Sequence, residues 1–219
     1  MQMKPIVTMP FTPYYEQDGI VIYNGDAIKV LEFLEADCVV TDPPYGIAYE
    51  TNWNKERTRP RSIVNDGDTD LRDKALSMIS CPAMVFGSWK KPAPFNAKFR
   101  MIWEKCGSSG MGDLSLPWRP NTEDIFLIGG GWFQVSGRES SVIRFDALCG
   151  EQRHPNEKPP ALMRYLLQRC PGGSILDPFM GSGTTLVAAK LEGRQAVGIE
   201  INEAYCEIAA NRLSQGVLF

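Results

Sequence analysis

The sequence predicts an α/β fold, a mixed and mostly parallel sheet with helices on both faces, and three observations carry that prediction. Short apolar runs bounded by turn residues alternate with segments of helical spacing along the chain. A unit of strand, glycine loop, helix, strand and helix ends the sequence, with Asp177 closing its first strand and Glu200 its second. No internal repeat, low-complexity tract or linker-like change in composition divides the 219 residues, so one domain is expected over residues 1–219.

The elements follow in order. Ile20 to Tyr23 reads as a short strand, Asn24-Gly25-Asp26 as its punctuation, and Ala27 to Leu34 as a helix with apolar residues at Ala27, Ile28, Leu31 and Leu34. Asp37 to Thr41 is a buried strand that delivers Asp42 to its C-terminal end, where open α/β sheets place their ligands. Asp70 to Ile79 is a helix, and Ala83 to Phe86 a strand ended by Gly87. Phe99 to Trp103 and Ile125 to Ile128 are two more strands, the second stopped by Gly129-Gly130-Gly131. Pro159 and Pro160 suit the entry of a helix reaching Arg169. Ser174 to Asp177, Thr184 to Glu192, Ala196 to Ile199 and Glu203 to Leu213 complete the βαβα unit.

With 43% hydrophobic and 22% charged residues the chain is an ordinary globular protein. No apolar run approaches the roughly 20 residues of a membrane span, and the N-terminus has no basic segment followed by an apolar one, so a soluble, cytoplasmic protein is expected. Six cysteines without a Cys-x-x-Cys pair read as reduced packing residues, and no metal is expected. The formal charge of -3 does not advertise a nucleic-acid binder. Its distribution is more telling: Lys55, Arg57, Arg59 and Arg61 fall within seven residues, just after the segment Thr41-Asp42-Pro43-Pro44-Tyr45-Gly46.

The glycine loop Asp177-Pro178-Phe179-Met180-Gly181-Ser182-Gly183-Thr184-Thr185 narrows the ligand. Glu200, about 20 residues further on, stands where an acid accepts hydrogen bonds from ribose hydroxyls. A phosphate-binding P-loop needs Gly-Lys, which is absent, and a dinucleotide fingerprint wants a third glycine where Leu186 stands. The loop better suits a cationic, phosphate-free cofactor whose ammonium is met by Asp177 or Asp42.

Asp42, Pro43, Pro44 and Tyr45 combine a carboxylate, a stiff backbone and an aromatic ring, which is what holding a flat heterocycle by its amino group requires. An exocyclic amine is a poor nucleophile because its lone pair is delocalised into the ring. Two acceptors on its two N–H bonds, the Asp42 carboxylate and the Pro43 carbonyl, draw the nitrogen toward tetrahedral geometry. Tyr45 offers a stacking face for a base taken out of a duplex.

These segments resemble the DNA amino-methyltransferase family, N6-adenine or N4-cytosine, in the permuted beta group whose catalytic motif precedes the cofactor motif. The resemblance extends to Asn24-Gly25-Asp26, Val85 to Trp89, Arg119 to Glu123, His154 to Pro159 and Gly198 to Glu200. It implies a circularly permuted, Rossmann-like S-adenosylmethionine-dependent methyltransferase fold acting on double-stranded DNA by base flipping and direct transfer. Asp42, Pro43, Pro44 and Tyr45 would form the base pocket. Asp26, Asn156, Lys158, Asp177, Phe179, Gly181, Ser182, Gly183, Thr184 and Glu200 would line the S-adenosylmethionine site. In this family an aspartate in the first position goes more often with adenine N6 and a serine with cytosine N4, so Asp42 favours adenine.

His154 is read as structural, because direct methyl transfer needs no imidazole base. Cysteine and proline occur as Cys81-Pro82 and Cys170-Pro171, the reverse of the order a cytosine-C5 enzyme requires. Larger family members carry a domain that reads the target; here only residues 50–68 and 105–153 offer room, with Lys55, Arg57, Arg59, Arg61, Arg119 and Arg138 as DNA contacts. A short target, a homodimer or a partner protein would each suit so compact a chain, alone or beside a restriction enzyme. Two readings of other classes compete: a DNA- or cofactor-binding protein without turnover, and a nicotinamide-dependent oxidoreductase. The intact Asp42, Pro43, Tyr45 and Glu200 speak against the first, and the missing third glycine against the second.

Overall fold

The structure is a computed structural model that describes residues 9–44, 69–106, 114–135, 137–147 and 157–215. Nine strands form one sheet among these residues: β1 (Tyr15–Gln17), β2 (Ile20–Asn24), β3 (Cys38–Thr41), β4 (Ala83–Gly87), β5 (Ala97–Cys106), β6 (Thr122–Ile128), β7 (Val142–Asp146), β8 (Ile175–Asp177) and β9 (Ala196–Glu200). Five helices accompany them: α1 (Ala27–Leu31), α2 (Asp70–Ser77), α3 (Pro160–Leu167), α4 (Thr184–Leu191) and α5 (Glu203–Ser214). The strand order is β1-β2-β9-β8-β3-β4-β6-β5-β7. From β2 to β4 every pairing is parallel, whereas β6 runs antiparallel to both β4 and β5. The late strand β8 thus lies directly between β9 and the early strand β3.

Side-chain alternation divides the core into two layers. Cys38 and Val40 of β3, with Met84 and Phe86 of β4, pack on the side that holds α3, α4 and α5. Val39, Ala83 and Val85 face the other way, against α1 and α2. Because these strands are covered on both faces they read as unbroken apolar runs. The helices that follow β8 and β3 therefore sit on opposite faces, and the loops leaving these neighbouring strands diverge at their C-terminal ends. Such a divergence opens the crevice in which α/β sheets bind ligands.

Local chemistry sets the helix entries. The Asp26 carboxylate caps α1 by accepting the Ile28 amide at 2.9 Å, and Asn202 caps α5 through the Ala204 amide at 3.0 Å. Proline at the first position of α3 carries no amide that would need a partner. Cys38, Cys81, Cys106, Cys170 and Cys206 are free thiols, while Cys149 lies outside the described residues.

Candidate active site

Parallel pairing brings the C-terminal ends of β2, β9, β8, β3 and β4 to one edge, so Asn24, Glu200, Asp177, Thr41 and Gly87 share it. Thr41 donates its hydroxyl to Asp177 Oδ1 at 2.7 Å, joining residues 136 positions apart. Thr185 donates to Asp177 Oδ2 at 2.5 Å, and the Phe179 amide donates to Oδ1 at 3.1 Å. Asp177 is thus a buried hub that fixes the start of the glycine loop to the end of β3, one residue before Asp42.

Burial pushes the Asp177 carboxyl up to about 6, against the hydrogen bonds of Thr185, Thr41 and the Phe179 amide and with a further push from Asp42. The folded state therefore holds this proton more tightly than the unfolded chain. That contribution to stability is complete below about pH 4 and is lost as the pH rises through about 6. Removing the charge with Asp177→Asn should make the variant's stability relative to wild type grow between pH 4 and 7, by on the order of 3 kcal/mol at most. Thermal melts across that range check it, and parallel curves for the two proteins would contradict it.

The loop itself is clamped from α5. Arg212 Nη1 donates to the Ser182 carbonyl at 2.7 Å, to Ser182 Oγ at 3.2 Å and to Thr184 Oγ1 at 3.1 Å. Its Nη2 lies 3.2 Å from the buried Glu157 carboxylate. On the other side, Glu200 Oε2 accepts the Gly181 amide at 3.0 Å and Oε1 accepts the Asn202 amide at 2.8 Å. Burial raises the Glu200 carboxyl above its ordinary value, against these backbone donors. Each Glu200 oxygen takes one of these donors and retains acceptor capacity for a hydroxyl.

Across the crevice, Lys158 Nζ lies 2.7 Å from Asp42 Oδ2 and 3.1 Å from Glu123 Oε2. It stands 4.9 Å from the centre of the Phe86 ring. Burial works against this ammonium, but Asp42 and Glu123 outweigh it and hold its pKa above the ordinary lysine value. Burial likewise opposes the Glu123 carboxylate, and Lys158 and Lys105 carry its pKa below the ordinary value.

The structure thus gathers Asp42, Pro43, Pro44, Lys158, Asp177, Phe179, Gly181, Ser182, Gly183, Thr184 and Glu200 around one edge of the sheet. Asp26 joins them from α1, where the neighbouring Gly25 amide donates to the Glu200 carbonyl at 3.0 Å. Arg119 is exposed in the segment that enters β6 at this same edge. Arg138 is at the opposite edge, because β6 runs antiparallel and its outgoing loop packs beside the end of α3, where Glu139 pairs with Arg169. Tyr45, Lys55, Arg57, Arg59, Arg61, His154 and Asn156 lie outside the described residues. Sequence reading gave no role to Thr41, Thr185, Lys105, Glu123, Glu157 or Arg212. Thr41, Glu123, Glu157 and Thr185 had a signal, in the segments that carry the resemblance, whereas Lys105 and Arg212 lie outside those segments.

The residues present fit a cationic, hydroxyl-bearing cofactor: acids line the crevice, and a glycine loop whose Gly181 and Gly183 have φ of 52° and 79° approaches it closely. Fold and site together define an S-adenosylmethionine-dependent methyltransferase. The chain belongs to the N6/N4 family of DNA methylases, whose family model matches residues 89–211, more than half of its length. The type II methyltransferase M2.LlaDCHI of Lactococcus lactis subsp. cremoris is 42% identical, with 94% of each chain covered. M.ScaI of Streptomyces caespitosus is 28% identical over 92% of this chain and 83% of its own. These alignments run over 266 and 254 positions against 219 residues here, so both relatives carry insertions that this chain lacks.

Among solved structures, the cytosine-N4-specific PvuII DNA methyltransferase shares the fold with a TM-score of 0.73, at 14% identity over 97% of this chain and 92% of its own. M1.HpyAVI in complex with S-adenosylmethionine has a TM-score of 0.65, at 22% identity over 89% and 99% of the two chains. No helix among the described residues is long and apolar enough to cross a membrane. No group of three or more metal-ligating side chains is gathered among them.

Proposed function

We propose that this chain methylates the N6 amino group of adenine in double-stranded DNA, acting on a base rotated out of the duplex into the crevice between β3 and β8. The observation that carries the reading is the Thr41–Asp177 hydrogen bond of 2.7 Å, which sets the Asp-Pro-Pro segment against the glycine loop. Glu200 and the loop from Asp177 to Thr184 would hold S-adenosylmethionine, with Asp26, Lys158 and Asn156 at its margins. When bound, that cofactor supplies an electrophilic methyl group.

The chain's own residues prepare the nucleophile. Asp42 accepts one N–H of the amine and the Pro43 carbonyl the other, so the lone pair leaves conjugation with the ring. Pro44 stiffens the backbone that aims the carbonyl. Tyr45 stacks on the extruded base and offsets part of the cost of unstacking, a few kcal/mol. The aspartate in first position supports adenine, since in the family serine there goes more often with cytosine N4.

The surface around the crevice supports a nucleic-acid partner. Trp89, with 74% of its surface exposed, follows β4, and Leu114, Leu116 and Trp118, at 79%, 57% and 77%, precede β6 at the same edge. Lys90, Lys91 and Arg119 stand among them, and Lys90 Nζ lies 5.9 Å from the Trp89 ring centre. Aromatic faces interleaved with cations suit stacking on unpaired bases and contact with phosphates. Residues 50–68 and 105–153 remain the proposed recognition segments, short enough that a second subunit would extend them. Replacing Trp118 by Ala should weaken DNA binding by about 1–3 kcal/mol, and Arg119→Ala should lower the salt slope by about one. Anisotropy titrations over a salt series measure both; unchanged affinity and slope would remove this surface from the interface.

The choice of base is tested with random-sequence duplexes amplified with N6-methyl-dATP or with N4-methyl-dCTP in place of the ordinary nucleotide. Labelled methyl groups should enter the second duplex and not the first. Label entering DNA whose adenines are already N6-methylated would overturn the adenine reading.

A further inference from the structure

We infer that Glu123, braced by Lys105, is a positioning residue for methyl transfer, seating the Lys158 ammonium against the Asp42 carboxylate. This deepens the reading of Asp42 as the amine's acceptor and rests on it. The geometry is a row of four charges of alternating sign. Lys105 Nζ of β5 lies 2.6 Å from Glu123 Oε1 of β6, Glu123 Oε2 lies 3.1 Å from Lys158 Nζ, and Lys158 Nζ lies 2.7 Å from Asp42 Oδ2. Three strands and the segment entering α3 meet in this row, which ends at the proposed catalytic carboxylate.

Burial explains why the row has to be this long. Lys158 is only 5% exposed, and an ammonium there paired with one carboxylate faces a desolvation penalty that a single partner does not reliably offset. Glu123 supplies the second partner. A second carboxylate alone would leave net negative charge in the site, and Lys105, itself 5.1 Å from the Trp103 ring centre, balances it. The described groups that face Lys158 include Asp42 just after β3, the Phe86 ring from β4 and Glu123 from β6, with Lys105 of β5 behind Glu123 and Asp177 of β8 acting on Asp42. Held from two sides, the ammonium fixes the direction of the Asp42 carboxylate, and a misplaced acceptor costs rate rather than binding.

Glu123→Gln keeps the side chain's shape and removes its charge. The kcat for methyl transfer should fall about 10- to 100-fold, while S-adenosylmethionine affinity by calorimetry stays within about twofold. The alkaline limb of the kcat profile should move to lower pH, because Lys158 loses one of the two carboxylates that favour its charged form. Lys105→Met should reproduce both effects in smaller measure, Lys105→Arg should restore them, and the double variant should be no slower than Glu123→Gln. A purely structural role would instead lower cofactor affinity and melting temperature together. Wild-type kcat with an unmoved alkaline limb in Glu123→Gln, alongside an inactive Asp42→Ala, overturns the positioning role alone. Full activity in Asp42→Ala overturns the underlying reading of the site. If Glu123→Gln does not fold, the Lys105→Met and Lys105→Arg pair decides by the same two readouts.

Discussion

Asp42→Ala is expected to abolish methyl transfer, a loss of roughly a hundred- to a thousandfold or more in kcat, while S-adenosylmethionine binding remains measurable. The carboxylate acts on the amine, and the loop that would hold the cofactor is fixed by other groups: Asp177 through Thr41 and Thr185, and Glu200 through the Gly181 amide. Lys158 keeps Glu123 as a partner when Asp42 is removed, so the site is not left with a lone buried ammonium. Asp42→Asn retains one acceptor oxygen without the charge and should fall between wild type and Asp42→Ala. Single-turnover assays beside calorimetry separate the two effects, and a fully active Asp42→Ala would contradict the mechanism.

Gly183→Ala should be the most damaging small substitution in the loop. Gly183 has φ of 79°, and a Cβ built there would stand 2.6 Å from Ala209 Cβ and 3.3 Å from Ala209 Cα. The left-handed backbone costs an ordinary residue about 1–2 kcal/mol, and forcing α4 away from α5 adds about 1–3 kcal/mol. A loss of roughly 2–5 kcal/mol lowers the melting temperature of a chain of this size by about 5–15 °C. Separating the two helices also disturbs the Arg212 contacts to Ser182 and Thr184, so cofactor affinity should fall as well. A variant with wild-type melting and binding would show that the loop tolerates the methyl group.

Particular elements show which parts of the fold were legible in the sequence. The buried strands β3, β4, β8 and β9 announce themselves as apolar runs closed by Asp42, Gly87, Asp177 and Glu200, because a strand covered on both faces has no polar side to interrupt it. β1 was missed: Tyr15–Gln17 is three residues at the sheet's edge, with no apolar alternation to mark it. β7 was missed for a similar reason, since Val142–Asp146 buries only Ile143 below β5. The helix over Ala27 to Leu34 stops at Leu31, and Phe33 instead packs in a turn against Phe11, with ring centres 5.9 Å apart.

The site was legible where its residues stand at strand ends or carry a glycine signature. Its pairings were not. That Thr41 meets Asp177 depends on β8 entering the sheet beside β3, and that Glu123 meets Lys158 depends on β6 reversing direction next to β4. The same reversal carries Arg138 to the far edge, away from the Asp42 side that Arg119 shares. Neither fact is visible in spacing along the chain.

The most direct measurement incubates the protein with labelled S-adenosylmethionine and unmethylated duplex DNA, digests the product to nucleosides and identifies the labelled base by mass spectrometry. N6-methyladenine is the expected labelled base. Label in N4-methylcytosine, with none in adenine, would contradict it.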